Sequence, residues 1–103
     1  MAEKTIAGKT VQVNDEGYMT NPDEWTKDIA VEMAKENGIE LGDKHFEVLE
    51  FLRNAQAKGE SLTIRKVGKS GITDIKGLYQ LFPGGPLKLS SKYAGILKPA
   101  SCV

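Results

Sequence analysis

The opening positions alternate apolar and polar side chains, the period of a half-buried strand. Glu3 to Ile6 is predicted as one short strand, Ala7-Gly8 as a tight link, and Lys9 to Val13 as its neighbour, with Val11 and Val13 on one face. Asn14-Asp15-Glu16-Gly17 reads as a turn, after which Tyr18-Met19 pairs back as a third short strand. Strands this short form a meander that is stable only when packed on something larger.

The spacing then becomes helical. Asn21-Pro22-Asp23-Glu24 carries a helix-start pattern: an Asn able to accept from first-turn amides, a Pro at the first helical position, and Glu24 at capping-box spacing. Trp25, Ile29 and Met33 follow at intervals of four and predict one buried stripe, ended by Asn37-Gly38. A second helix is predicted from Asp43 to Lys58, with Phe46, Val48, Leu49, Phe51 and Leu52 as its apolar face and Gly59 as its stop. His45 falls in its first turn with no sequence neighbour suited to acid–base chemistry, and reads as a partly exposed structural side chain. Thr63 to Lys69 and Asp74 to Phe82, the second capped by Thr73, predict two short helices around Ser70-Gly71. Pro83-Gly84-Gly85 breaks the chain, Pro86 opens a last helix to Ala94, and Gly95 closes it. Residues 96–103 are left as a tail.

Composition narrows this pattern to one small domain resting on its apolar core. The chain has 103 residues, 40% hydrophobic and 27% charged, which excludes a disordered tract and a membrane-embedded one. Charges interrupt every apolar run before the ~20 residues a bilayer requires. Met1 to Thr5 lack the apolar core of a secretory signal, so a cytoplasmic address with no membrane contact is expected. The single cysteine excludes an intrachain disulfide. One Cys and one His exclude a closed zinc site and an iron–sulfur cluster, so no metal or other cofactor is expected. Any demanding redox step falls to a partner that carries the cofactor.

The net charge of zero conceals an asymmetry. Residues 1–60 carry 7 basic and 13 acidic side chains, a net of −6, while residues 61–103 carry 7 basic ones and only Asp74, a net of +6. A basic half suits an acidic partner, a nucleic acid or an anionic reactive group, or serves as a solvated face.

Two phosphate-loop fragments fail on inspection. Gly68-Lys69-Ser70 has Thr63 where the first glycine belongs and no strand before it, and Gly8-Lys9-Thr10 has Glu3 there. The helix pair around Ser70-Gly71, with Arg65, Lys66, Lys69 and Lys76, outlines a helix-turn-helix DNA reader. Its second helix offers only Lys76 and Gln80 to base edges, beside Ile75, Leu78, Tyr79 and Leu81. Helix pairs around a glycine turn are also common packing units, so nucleic acid ranks below a protein partner.

Cys102 is the most informative residue. It is the only thiol, next to last, on a tail expected to be mobile. A prenylation box would need the cysteine fourth from the end. Fully extended, Ile96 to Cys102 reaches up to ~25 Å from Gly95, enough to hand a thiol into a partner's active site. Lys98 and nearby basic side chains favour the reactive thiolate, and the terminal carboxylate opposes it. These residues alone leave a reactive arm and an incidental terminal thiol equally open.

Leu81-Phe82-Pro83-Gly84-Gly85-Pro86, Lys88, Ala94-Gly95, Lys98-Pro99 and the final Cys102-Val103 tip that balance. Upstream, Asp15-Glu16-Gly17-Tyr18, Trp25, Gly38-Ile39, His45-Phe46, Ile64-Arg65 and Leu78-Tyr79 extend the pattern over nearly the whole chain. It resembles the DsrC/TusE family of small sulfur-carrier proteins, which includes the gamma subunit of dissimilatory sulfite reductase. The resemblance implies an α+β fold: a small N-terminal antiparallel β-meander on an array of about five helices, with a mobile C-terminal arm. One domain over 1–103 is expected, with the meander in 1–20, the helices in 21–95 and the arm in 96–103.

The resemblance also implies a carrier whose Cys102 receives sulfane sulfur as a persulfide. A persulfide is anionic at neutral pH, so Arg65, Lys88, Lys92 and Lys98 are its expected supports. The expected partners are an upstream persulfide-donor protein and an acceptor, either a tRNA-thiolating enzyme or a sulfur-oxidation or sulfite-reduction complex. The chain would then be a monomeric carrier rather than a stand-alone enzyme, forming Cys102-linked dimers on oxidation. Two departures stand out. Ser91 occupies the place of the family's second cysteine, which removes the two-cysteine sulfite-reduction cycle, and Lys92 follows where Arg is frequent. Ile96-Leu97-Lys98-Pro99 has one proline fewer than the family tail and makes a less stiff arm. The competing readings are an accessory gamma-type subunit that inserts its tail into sulfite reductase without turnover, and a helix-turn-helix binder with a redox-sensing cysteine.

Overall fold

A computed structural model describes residues 2–60 and 62–97 and has the predicted α+β architecture. β1 (Ala2–Ile6) and β2 (Lys9–Val13) pair antiparallel in a register from Ala2↔Val13 to Ile6↔Lys9. The link between them takes positive φ at both residues, 53° at Ala7 and 78° at Gly8, as a two-residue hairpin requires. The expected third strand is reduced to one bridge, Val13↔Met19. Its backbone is diverted because Asn14 Oδ1 accepts from the amides of Glu16 and Tyr18, both at 3.0 Å, which holds a turn instead of a ladder.

The helix predicted to begin at Asn21 starts later. Asn21 caps only a 3₁₀ turn, Pro22–Glu24, and Trp25 follows in extended conformation. α1 (Lys27–Glu36) has its own cap in Thr26, whose Oγ1 accepts from Ile29 N at 3.3 Å. The reason is tertiary. Glu24 is drawn away from any capping box because its carboxylate accepts from Gln12 N of β2 at 3.0 Å. Trp25 therefore leaves the stripe that Ile29 and Met33 continue to form.

α2 (Asp43–Ala57) buries Val48, Leu49, Leu52 and Ala55, with Phe46 and Phe51 half-buried beside them. At its start Gly42 N donates to His45 Nδ1 at 3.0 Å, which leaves Nε2 to donate to Leu81 O at 2.9 Å. The His45 ring meets Phe82 edge-on at 5.2 Å, so this histidine is a structural strut. α3 (Ile64–Gly68) lies within the predicted Thr63 to Lys69, with Thr63 as its cap and not its first residue. α4 (Ile75–Leu81) is capped by Asp74, not Thr73: the Asp74 carboxylate accepts from Gly77 N at 2.7 Å. Both residue types cap well, and Asp adds favourable charge at a helix N-terminus.

α5 (Pro86–Tyr93) is the keystone, packed against α1, α2 and α4. Leu87 and Tyr93 are fully buried there beside Phe82, Ile29, Leu49 and Leu52. No helix among the described residues is long and apolar enough to cross a membrane.

Candidate functional site at the root of the C-terminal arm

Cys102 and Lys98 lie outside the described residues, so the structure speaks to the base from which they depart. Helix α5 ends in a Schellman motif: Gly95 N donates to Lys92 O and Ile96 N to Ser91 O, both at 3.2 Å. The motif needs a left-handed residue, and Gly95 supplies it at φ 73°. Gly95 also lies close against Trp25, and a Cβ there would come within 2.8 Å of Trp25 Cβ and Cγ. Glycine is thus required twice over.

The last carbonyls of α5 are held by two side chains from distant segments. Trp25 Nε1 donates to Tyr93 O at 2.6 Å. Arg53 reaches from α2, its Nη1 donating to Ala94 O at 2.8 Å and its Nη2 to Pro22 O at 3.0 Å. The guanidinium also lies 4.4 Å from the Trp25 ring centre, so tryptophan and arginine form one stacked clamp. Burial pushes the Arg53 pKa below its ordinary value, with Asp23 partly offsetting that. Placing a cation here has a cost, which the fork to two carbonyls offsets. Ile96, which the sequence placed at the start of the tail, is instead 1% exposed and belongs to the core.

Ser91 is fully buried and its hydroxyl has no hydrogen-bond partner among the described residues. Lys88 and Lys92 stand one turn apart on α5 and share Tyr18: its hydroxyl donates to Lys88 O at 3.3 Å, and Lys92 Nζ lies 5.9 Å from its ring centre. Arg65 is exposed on α3, which packs chiefly on α4 and α2. The structure therefore groups Lys88 with Lys92 and places Arg65 on another element. Among the described residues no group of three or more His, Cys, Asp and Glu could hold a metal ion.

Trp25 was legible only as a core residue, and Arg53 carried no signal at all. Nothing in local spacing marks two residues that meet only through the end of a third helix.

Fold and site together define a small α+β domain that clamps the end of its last helix, just ahead of its single cysteine in the sequence. The chain belongs to the DsrC-like protein family, matching it over residues 5–103. It is similar to sulfurtransferase TusE of Escherichia coli strain K12, 36% identical over 104 residues covering 93% of this chain and 95% of that one. Among solved structures, DsrC of Allochromatium vinosum is 34% identical with a TM-score of 0.79, covering 99% of this chain and 100% of that one. The oxidized gamma-subunit of dissimilatory sulfite reductase from Archaeoglobus fulgidus is 28% identical with a TM-score of 0.82, over the same shares.

Proposed function

We propose that this protein is a sulfur-relay carrier that accepts sulfane sulfur on Cys102 and passes it to a partner enzyme. The observation that carries this reading is the family match, which runs through the lone thiol at position 102 to the end of the chain. The relatives named sulfurtransferase TusE and DsrC support it. The clamp by Trp25 and Arg53 suits the role, since a swinging thiol is useful only if its pivot stays fixed.

The chemistry balances without an external oxidant. The Cys102 thiolate attacks the outer sulfur of a donor persulfide, forming a new S–S bond while the donor's S–S bond breaks. The donor leaves as a thiolate, and the hydrosulfide proton stays on, or is lost from, the transferred sulfur. Repeating the step with an acceptor thiolate returns Cys102 to its starting state. Lys88 and Lys92, with Arg65 and Lys98, are assigned to support the anionic persulfide. Ser91 cannot form a sulfur bridge, which favours one-cysteine relay over a two-cysteine cycle. The acceptor class stays between a tRNA-thiolating enzyme and a sulfur-oxidation or sulfite-reduction complex.

Intact-mass measurement after incubation with a persulfide donor tests this directly. The expected result is a gain of one or more sulfur atoms that is absent in Cys102→Ser. No adduct with competent donors, or an adduct that survives in Cys102→Ser, refutes the assignment. Replacing Arg65, Lys88 and Lys92 together with Gln should slow alkylation of Cys102 near neutral pH, and an unchanged rate removes them from the site.

A further inference from the structure

Two large apolar side chains stand exposed one turn apart on α4, Ile75 at 42% and Tyr79 at 44%. The adjoining side of that helix is anchored by fully buried Leu78, so their exposure is set by the packing and not by a loose element. The backbone of α3 runs against Ile75: a Cβ at Gly68 would meet Ile75 Cγ1 at 2.8 Å. By their spacing Arg65 and Lys69 lie on the same side of α3 as Gly68, the residue that meets Ile75, so the element against Ile75 carries two cations on that side. Lys76 adds a third beside Tyr79. Arg65, Lys69 and Lys76 are exposed and make no ion pair among the described residues, whereas Lys66 is held by Glu60 at 2.6 Å.

From this arrangement we infer that the α3–α4 face docks an acidic protein surface that presents apolar side chains of its own. Uncompensated cations around an apolar centre match the polar rim and apolar middle of a protein interface. A nucleic acid fits less well. The N-terminal end of the second helix is the part of a helix-turn-helix that enters the groove, and here it carries the Asp74 carboxylate as its cap. Ile75 and Tyr79 then occupy positions where base contacts need polar groups. A partner held on this face would raise the effective concentration of the arm's thiol at its target. The docking surface does not depend on what Cys102 carries.

The test is an amide-shift titration of the isotope-labelled full chain with a synthetic helical peptide bearing leucine on one face and glutamate on the other. Shifts are expected at Arg65, Lys69, Ile75, Lys76 and Tyr79, weakening as salt is added. Tyr79→Ala, and separately Lys69→Glu with Lys76→Glu, should each weaken binding roughly tenfold. All three positions are exposed, and unchanged shifts elsewhere confirm an intact fold. No shifts on this face, or equal binding of the matched peptide with lysine in place of glutamate, overturns the inference. Duplex DNA or transfer RNA perturbing the same amides at lower concentration than the acidic peptide also overturns it and assigns the face to nucleic acid.

Discussion

Removing the arginine half of the clamp should loosen the root of the arm before it loosens the domain. In Arg53→Ala the bonds to Ala94 O at 2.8 Å and Pro22 O at 3.0 Å disappear, together with the stack on Trp25. A hydrogen bond from a charged donor contributes about 1.5–3 kcal/mol, and a partly exposed cation–π contact about 0.5–1 kcal/mol. The desolvation that lowers the Arg53 pKa is recovered on truncation and reduces the loss. Pro22 O keeps the Trp25 amide as a donor at 3.2 Å, whereas Ala94 O has no other donor among the described residues. The expected net loss is about 2–3 kcal/mol, or roughly 10–20 °C in Tm for a domain of this size. Arg53→Lys keeps the charge but reaches only one carbonyl, and should lose about half as much. Urea titration followed by circular dichroism and by Trp25 fluorescence measures the loss. Hydrogen exchange at Ile96 N, which is bonded to Ser91 O, locates it. A loss below about 0.5 kcal/mol in Arg53→Ala, or a full loss with Ile96 protection unchanged relative to the rest of the core, would show that Arg53 does not hold the arm's root.

Three further outcomes follow from individual sites. Gly95 and Gly59 have nearly equal φ, 73° and 75°, but only Gly95 has the indole where a Cβ would go. Gly59→Ala should cost about 1 kcal/mol and Gly95→Ala at least twice that, so equal losses in parallel melts contradict the close packing on Trp25. Ser91→Ala removes a buried hydroxyl with no partner among the described residues and should leave stability unchanged or raise it by up to about 1 kcal/mol; a clear loss means that the hydroxyl has a partner. Tyr93, which accepts from Asn37 Nδ2 at 2.8 Å, has its pKa pushed above the ordinary 10.0 by burial, with the Asn37 bond pulling the other way. Its contribution is therefore fully present below pH 10 and falls as pH rises, because the unfolded tyrosine ionises first. Tyr93→Phe should flatten the decline of stability above that pH, and an unaltered alkaline slope in denaturant titrations refutes the assignment.

Local pattern was enough to place most of the elements. Period-two alternation in 9–13, apolar spacing in α2, and the Pro86 and Gly95 boundaries of α5 are all short-range chemistry, settled within a turn or two of chain. The C-terminal motif likewise pointed to the family from residues alone. Long-range contacts settled the rest. Asn21 and Glu24 spell a helix start, but β2 offers Glu24 an amide, so the helix waits for Thr26. Tyr18-Met19 alternate like a strand, but Asn14 bonds their turn into a bridge. Trp25, Arg53 and the end of α5 are brought together only when three separate segments pack on one core. Ile96 reads as the start of a free tail and is instead buried by that packing. A hydrogen bond between segments far apart in sequence leaves no periodic trace in either of them, and for this reason the pivot of the arm became visible only in three dimensions.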